Sequence, residues 1–165
     1  MDDTLVIADH ATSLEAVYRA DAARLWRALV AYAGDADLAS EAVAEAYAQA
    51  LRRGSAIRDP AAWTWRAAFR LAAGALKERR RVEVRPLSVA GDMEPAQPDR
   101  YGDADLQAAL RQLPDAQRAA VILFYYADLP VRDIARRLGS NQLAVRANLS
   151  RGRRRLHQLL GDDHD

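Results

Sequence analysis

One hundred and sixty-five residues with a net charge of +1 and 28% charged side chains suit one domain or two small ones. The mean hydropathy of −0.30 fits a folded, soluble chain rather than a disordered one. A chain without cysteine has no disulfide framework, thiolate zinc site or cysteine nucleophile; no apolar run reaches the roughly 18 residues of a membrane span, and the apolar stretch in residues 1–11 is too short for a secretory signal.

Aromatics make up only 7% of the chain and alanine much of the apolar share, which predicts small helical cores. No alternation of Val, Ile and Thr reads as a strand, so the expected fold class is all-α. Ser13 is a candidate N-cap, followed at near-helical spacing by Leu14, Val17, Tyr18, Leu25, Leu29 and Tyr32. Gly34 and Asp35 break that helix. A second is expected from about residue 37 to 53, with Leu38, Val43, Ala46, Tyr47, Ala50 and Leu51 inside, and Gly54 stops it. After the turn 54–59, Asp59 is the N-cap and Pro60 the first residue of a third helix, expected to reach residue 81. Its inner face is read as Trp63, Ala67, Leu71 and Leu76, which leaves Trp65 facing outward.

Residues 82–103 hold Pro86, Pro95, Pro98, Gly91 and Gly102 without a helical period. An acidic stretch punctuated in this way is usual between domains and rare within one. The expected organisation is a helical domain over residues 1–81, a mobile tether over 82–103 and a second helical domain over 104–165, the two domains moving semi-independently. In the second, a short helix ends at Leu113–Pro114, Asp115 caps a helix through Val121, Leu123, Phe124 and Tyr125, and Pro130 opens the next, with Val131, Ile134, Ala135 and Leu138 inside. Gly139 supplies a left-handed turn and Ser140 the next cap, and a last helix buries Val145, Leu149, Gly152 and Leu156.

Charge is unevenly spread. Residues 1–81 carry +1, residues 82–103 carry −3, residues 104–160 carry +6 from ten arginines against four aspartates, and residues 161–165 carry −3. Arginine's planar fork of donors suits phosphate and guanine, and a basic module behind an acidic spacer is a nucleic-acid pattern. The basic segment contains, at 129–156, a short helix, a glycine turn and a polar-capped second helix, the bihelical unit of a helix-turn-helix. The outward positions of its second helix are Asn141, Gln142, Arg146, Ala147, Ser150, Arg151 and Arg154, several of them amide and guanidinium groups able to read base edges and grip phosphate.

These motifs resemble the extracytoplasmic-function (group IV) sigma factors of bacterial RNA polymerase. The family's second-domain pattern is similar to Leu113-Pro114-Asp115-Ala116-Gln117-Arg118, the aromatic run Val121-Ile122-Leu123-Phe124-Tyr125-Tyr126, and Leu129-Pro130-Val131-Arg132-Asp133-Ile134-Ala135. Its Arg-Ala-Arg corresponds to Arg151-Gly152-Arg153. In the first domain Ala39-Ser40-Glu41-Ala42-Val43-Ala44-Glu45-Ala46-Tyr47 and Trp63-Thr64-Trp65-Arg66-Ala67-Ala68-Phe69-Arg70 lie over the family pattern, with Ala44 and Arg70 in place of its glutamine and asparagine. The resemblance spans residues 14–160, tether included.

What the resemblance implies is a non-catalytic initiation factor of the bacterial cytosol that needs no cofactor. It would dock on core RNA polymerase through the β′ clamp coiled coil and the β flap tip, bind the −35 and −10 promoter elements, and help open the strands. By position, Arg132, Asn141, Gln142, Arg146, Ala147, Ser150, Arg151 and Arg154 are the −35 candidates. Ser55, Arg58, Trp65, Arg66, Arg70 and Lys77 are the −10 candidates, with a flipped base held near the turn 54–59. Glu41, Glu45, Gln49 and Arg52 are the polymerase-facing candidates, or else ordinary surface pairs. Lys77, Arg79, Arg80 and Arg81 fit phosphate contacts and a solvated helix end equally well. An anti-sigma factor is a further candidate partner. His10, His157 and His164 form no ligand set, Asp162, Asp163 and Asp165 read as an acidic terminus rather than a metal site, and a chain ending there leaves no room for a further regulatory domain. Two other readings remain: a dimeric helix-turn-helix operator binder, and an adaptor that occupies polymerase without initiating.

Overall fold

The computed structural model describes residues 3–83 and 104–161, with side chains from Asp9 onward. Helix α1 (Asp3–Ala33) contains neither Gly nor Pro and runs straight through Ser13, which therefore caps nothing; a serine caps only where the backbone before it leaves the helix. Gly34, at φ +69, ends α1. Asp35 caps α2 (Ala36–Arg53) by accepting the Leu38 N–H at 2.9 Å. Burial opposes ionisation of Asp35, yet that bond and the Arg79 guanidinium at 2.6 Å outweigh it and hold the carboxyl below its ordinary range.

Gly54, at φ +59, then starts a single 3₁₀ turn, Gly54–Ala56. Asp59 caps α3 (Pro60–Glu83) by accepting the Ala62 N–H at 3.1 Å, and Pro60 sits where a missing N–H costs nothing. Val82 and Glu83, expected in the tether, continue α3 instead; the rest of the tether, 84–103, lies outside the described residues. The second half comprises α4 (Ala104–Arg111), α5 (Asp115–Val121) leading into a π-turn at Ile122–Tyr126, α6 (Val131–Leu138) and α7 (Gln142–Gly161). The chain is all-α, as its composition predicts.

The rotation of α3 departs from expectation. Its buried stripe is Trp65, Ala68, Phe69 and Ala72, at i, i+3, i+4 and i+7, whereas Trp63, Leu71 and Leu76 are only partly covered. The helix packs on α1 and α2 and also on α6, so more than one face is buried and no single stripe announces the inside. Leu51, expected inside, is 58% exposed. In the second half Leu113, Leu123, Ile134, Val145 and Leu149 form the core. Gly152 lets α7 cross α5 closely: a Cβ there would stand 2.7 Å from Val121 Cγ2.

The two halves were expected to move semi-independently, and the structure instead joins them in one continuous apolar core. Tyr32 of α1 meets Phe69 of α3 edge to face at 5.2 Å, beside Ala119, Ala120 and Val145 of the second half. Three arginines bind backbone carbonyls across the seam. Arg118 Nη1 donates to Tyr32 O at 3.3 Å, Arg24 Nε to Ala127 O at 3.0 Å, and Arg66 Nη2 to Arg136 O at 3.0 Å. Each acceptor lies in or just past the last turn of a helix or of the π-turn, where carbonyls lack intrahelical partners and carry partial negative charge.

Candidate nucleic-acid interface

The helix-turn-helix is built from α6, the residues 139–141 and α7. Gly139 holds φ +64 and ψ 38, the left-handed region that closes α6. Asn141 Oδ1 accepts the Ala144 N–H at 2.8 Å, so Asn141 rather than Ser140 caps α7. That bond fixes the orientation of the Asn141 amide, whose nitrogen keeps both its donors. Val145, Leu149 and Gly152 face inward, while Gln142, Arg146, Ser150, Arg151 and Arg154 are exposed and Ala147 is half-buried. Gln142, Arg146, Ser150 and Arg154 follow one another at intervals of four, a single row of amide, hydroxyl and guanidinium groups on a helix buried on its other side. Arg146 Nη2 reaches back to Gln142 Oε1 at 3.4 Å, and Arg153 Nη1 donates to the Tyr125 hydroxyl at 2.9 Å. Arg132 is exposed at the start of α6, its Nε 3.9 Å from Asp133 Oδ1. The structure thus gathers all eight −35 candidates on α6, the turn and α7.

The −10 candidates divide. Ser55 and Arg58 are exposed on a turn anchored by buried Ile57, and Arg70 and Lys77 are exposed on α3. Trp65 does not face outward: it is wholly buried, its ring stacked near Phe69 at 6.4 Å and its Nε1 donating to Asp21 Oδ2 at 2.5 Å. A side chain so enclosed cannot catch a base. The partly exposed aromatic is Trp63, with the Arg53 guanidinium 5.5 Å above its ring. Sequence reasoning assigned Trp63 to the core because period 3.6 alone could not fix the rotation of an alanine-rich helix.

Arg66 is held between the halves. Besides its bond to Arg136 O, its Nε would lie 2.8 Å from a Cβ at residue 139. Asp59 pairs with the Arg136 guanidinium. Burial raises the Asp59 pKa, but the Ala62 N–H and Arg136 more than offset this, leaving the carboxyl below its ordinary value. The contribution of that depressed carboxyl is present above the ordinary carboxylate pKa and is lost as pH falls through the folded value. Asp59→Asn is therefore expected to loosen the seam at neutral pH, seen as a larger radius of gyration by X-ray scattering with unchanged helical circular dichroism. An unchanged radius would show that the apolar core and the arginine–carbonyl bonds hold the halves together without the Asp59–Arg136 pair.

Along α2, Glu41, Glu45 and Arg52 are exposed and Gln49 is half-buried. Gln49 Nε2 at 3.0 Å and Arg52 Nη2 at 2.9 Å both donate to Glu45 Oε1 and lower its pKa. So exposed a network contributes little to stability, which leaves this face free for a partner. Among the described residues no group of His, Cys, Asp and Glu could hold a metal ion, and no helix is long and apolar enough to cross a membrane; residues 162–165 lie outside them.

Residues 103–156 match the family described as Sigma-70, region 4. The RNA polymerase sigma factor SigV of Bacillus subtilis (strain 168) is 27% identical over 129 residues, covering 76% of this chain and 78% of that protein. The fold is similar to that of the sigma factor RpoE, solved with the anti-sigma factor NepR from Bartonella quintana, at 24% identity and TM-score 0.65, over 94% of this chain and 99% of that one. It is also similar to CnrH, solved with the cytosolic domain of CnrY, at 17% identity and TM-score 0.69, over 99% of both chains. Together with the basic helix-turn-helix of α6 and α7, these matches make the chain similar to sigma factors, with a Sigma-70 region 4 segment over residues 103–156 and a fold shared with RpoE and CnrH.

Proposed function

We propose that the chain binds core RNA polymerase, reads a −35 element with α7 and a −10 element with the turn 54–59 and the start of α3, and promotes strand opening, with no catalytic residue of its own. The proposed regions are residues 1–81 for polymerase and the −10 element, 82–103 as a linker and 104–165 for the −35 element. The observation that carries this reading is the exposed row of Gln142, Arg146, Ser150 and Arg154 on the second helix of the helix-turn-helix. The N-terminal residues of such a helix reach base edges in the major groove, and arginines further along meet phosphates. Glu41, Glu45, Gln49 and Arg52 are the docking face for polymerase. At the −10 element Ser55, Arg58, Arg66, Arg70 and Lys77 remain candidates, with Trp63 in place of Trp65 as the aromatic that stacks on an unpaired base. Arg66 becomes available only when the halves part. An anti-sigma factor is proposed as a partner because the matched RpoE structure holds one, and the working compartment is the cytoplasm, where polymerase acts.

Run-off transcription with bacterial core polymerase and a promoter library tests the proposal: specific transcripts support it, and none with an active core would overturn it. Within that assay Arg146→Ala is expected to relax base preference, costing roughly 1–3 kcal/mol on the selected site if its contact is bidentate. Arg154→Ala should weaken all sequences alike and flatten the salt dependence of binding. Unaltered base preference in the Arg146 variant would mean that α7 is rotated differently in the groove.

A further inference from the structure

We propose that Leu143 is a base-reading residue that packs on the 5-methyl group of a thymine in the −35 element, an inference that rests on α7 lying in the major groove as proposed above. Leu143 is 77% exposed, the most exposed large hydrophobic among the described residues. It is the second residue of α7, within the turn that a recognition helix presents to base edges. At about 100° per residue it lies in line with Ser150, between the Gln142–Arg146 side and the Ala147–Arg154 side, and opposite buried Val145 and Leu149. The Asn141 cap fixes the start of the helix beneath it.

The chemistry of its surroundings chooses the partner. An exposed leucine that docks a protein belongs to an apolar patch. By helical spacing the residues of α7 that flank Leu143 are Gln142, Arg146 and Ser150, all exposed, and half-buried Ala147. One apolar side chain ringed by amide, hydroxyl and guanidinium groups matches a surface with a single methyl among hydrogen-bonding edges. In the major groove thymine alone offers that methyl, and cytosine presents an amino donor instead. Gln142 and Arg146 then read donors and acceptors beside it, and Leu143 separates thymine from cytosine at one position.

The test uses holoenzyme assembled from the full chain and core polymerase, bound to a −35 duplex selected from a randomised pool. Each thymine is replaced in turn by deoxyuridine, which removes only the methyl group. Wild type should lose about fourfold in affinity at one thymine, the worth of one buried methyl. Leu143→Ala should bring that ratio to about one while binding the deoxyuridine duplex within about twofold of wild type, and Leu143→Met should keep the ratio. The side chain is exposed, so neither variant threatens folding. A base-selective wild type that ignores every such replacement, or a Leu143→Ala holoenzyme that keeps the ratio, would overturn the inference and leave the placement of α7 standing. A wild type with no base preference at all would overturn both.

Discussion

Trp65→Ala is expected to destabilise the protein by about 3–5 kcal/mol, the usual cost of removing a fully enclosed large aromatic. The indole is 0% exposed, and three kinds of contact end with it. Its ring packs near Phe69, its Nε1 binds Asp21 Oδ2, and the Arg137 guanidinium lies 5.2 Å over its face. Asp21 would keep Arg137, 3.8 Å away, as a charged neighbour but lose its indole donor. Urea unfolding should show the loss as a lower midpoint, and Trp65→Phe should recover much of the apolar part but not the Asp21 bond. Because α6 supplies Arg137, hydrogen exchange should quicken in the second half as well. Equal midpoints for wild type and Trp65→Ala would refute the burial. Trp63→Ala, which removes a side chain only partly packed on the core, should lower the midpoint less than Trp65→Ala and reduce strand opening, with a pre-melted template restoring part of that second loss.

Arg118→Ala is expected to cost about 3 kcal/mol or more, since hydrogen bonds from charged donors contribute roughly 1.5–3 kcal/mol each and are not fully additive. Arg118 is 4% exposed, and its nitrogens donate to Tyr32 O, Arg111 O and Leu113 O at 3.1 to 3.3 Å. Its guanidinium also lies 5.0 Å from the centre of the Tyr32 ring. Burial above all, with the Asp115 charge, pushes that phenol up to about 12 despite the cation. One planar cation therefore ties the end of α1 to the α4–α5 corner. Arg118→Lys should not rescue the loss, because a single ammonium cannot span carbonyls held in a fork. Differential scanning calorimetry would register the change. A melting temperature within a degree of wild type for both variants would show that the carbonyls find water or other donors.

The punctuation of the chain was legible from its residues. Gly34 and Asp35, Gly54, Asp59 with Pro60, and Gly139 each end or start a helix where expected, because capping bonds and left-handed turns are local and need no tertiary partner. The inner face of the helix-turn-helix, Ile134, Ala135, Val145, Leu149 and Gly152, was legible for a related reason: branched and small residues at helical spacing against arginines leave one choice of face. Ser13 misled because a capping residue and a mid-helix serine look alike until the backbone before them is known. Tertiary structure alone decided the rest. The rotation of α3, and with it the exchange of Trp63 and Trp65, depends on which neighbours claim each side of an alanine-rich helix. The joining of the halves, through one shared apolar core, also draws on Arg24, Arg66 and Arg118 reaching backbone carbonyls in the other half. Backbone acceptors have no side-chain identity, so such contacts leave no period or motif in the sequence, and only folding shows which arginines stay exposed and which close the molecule.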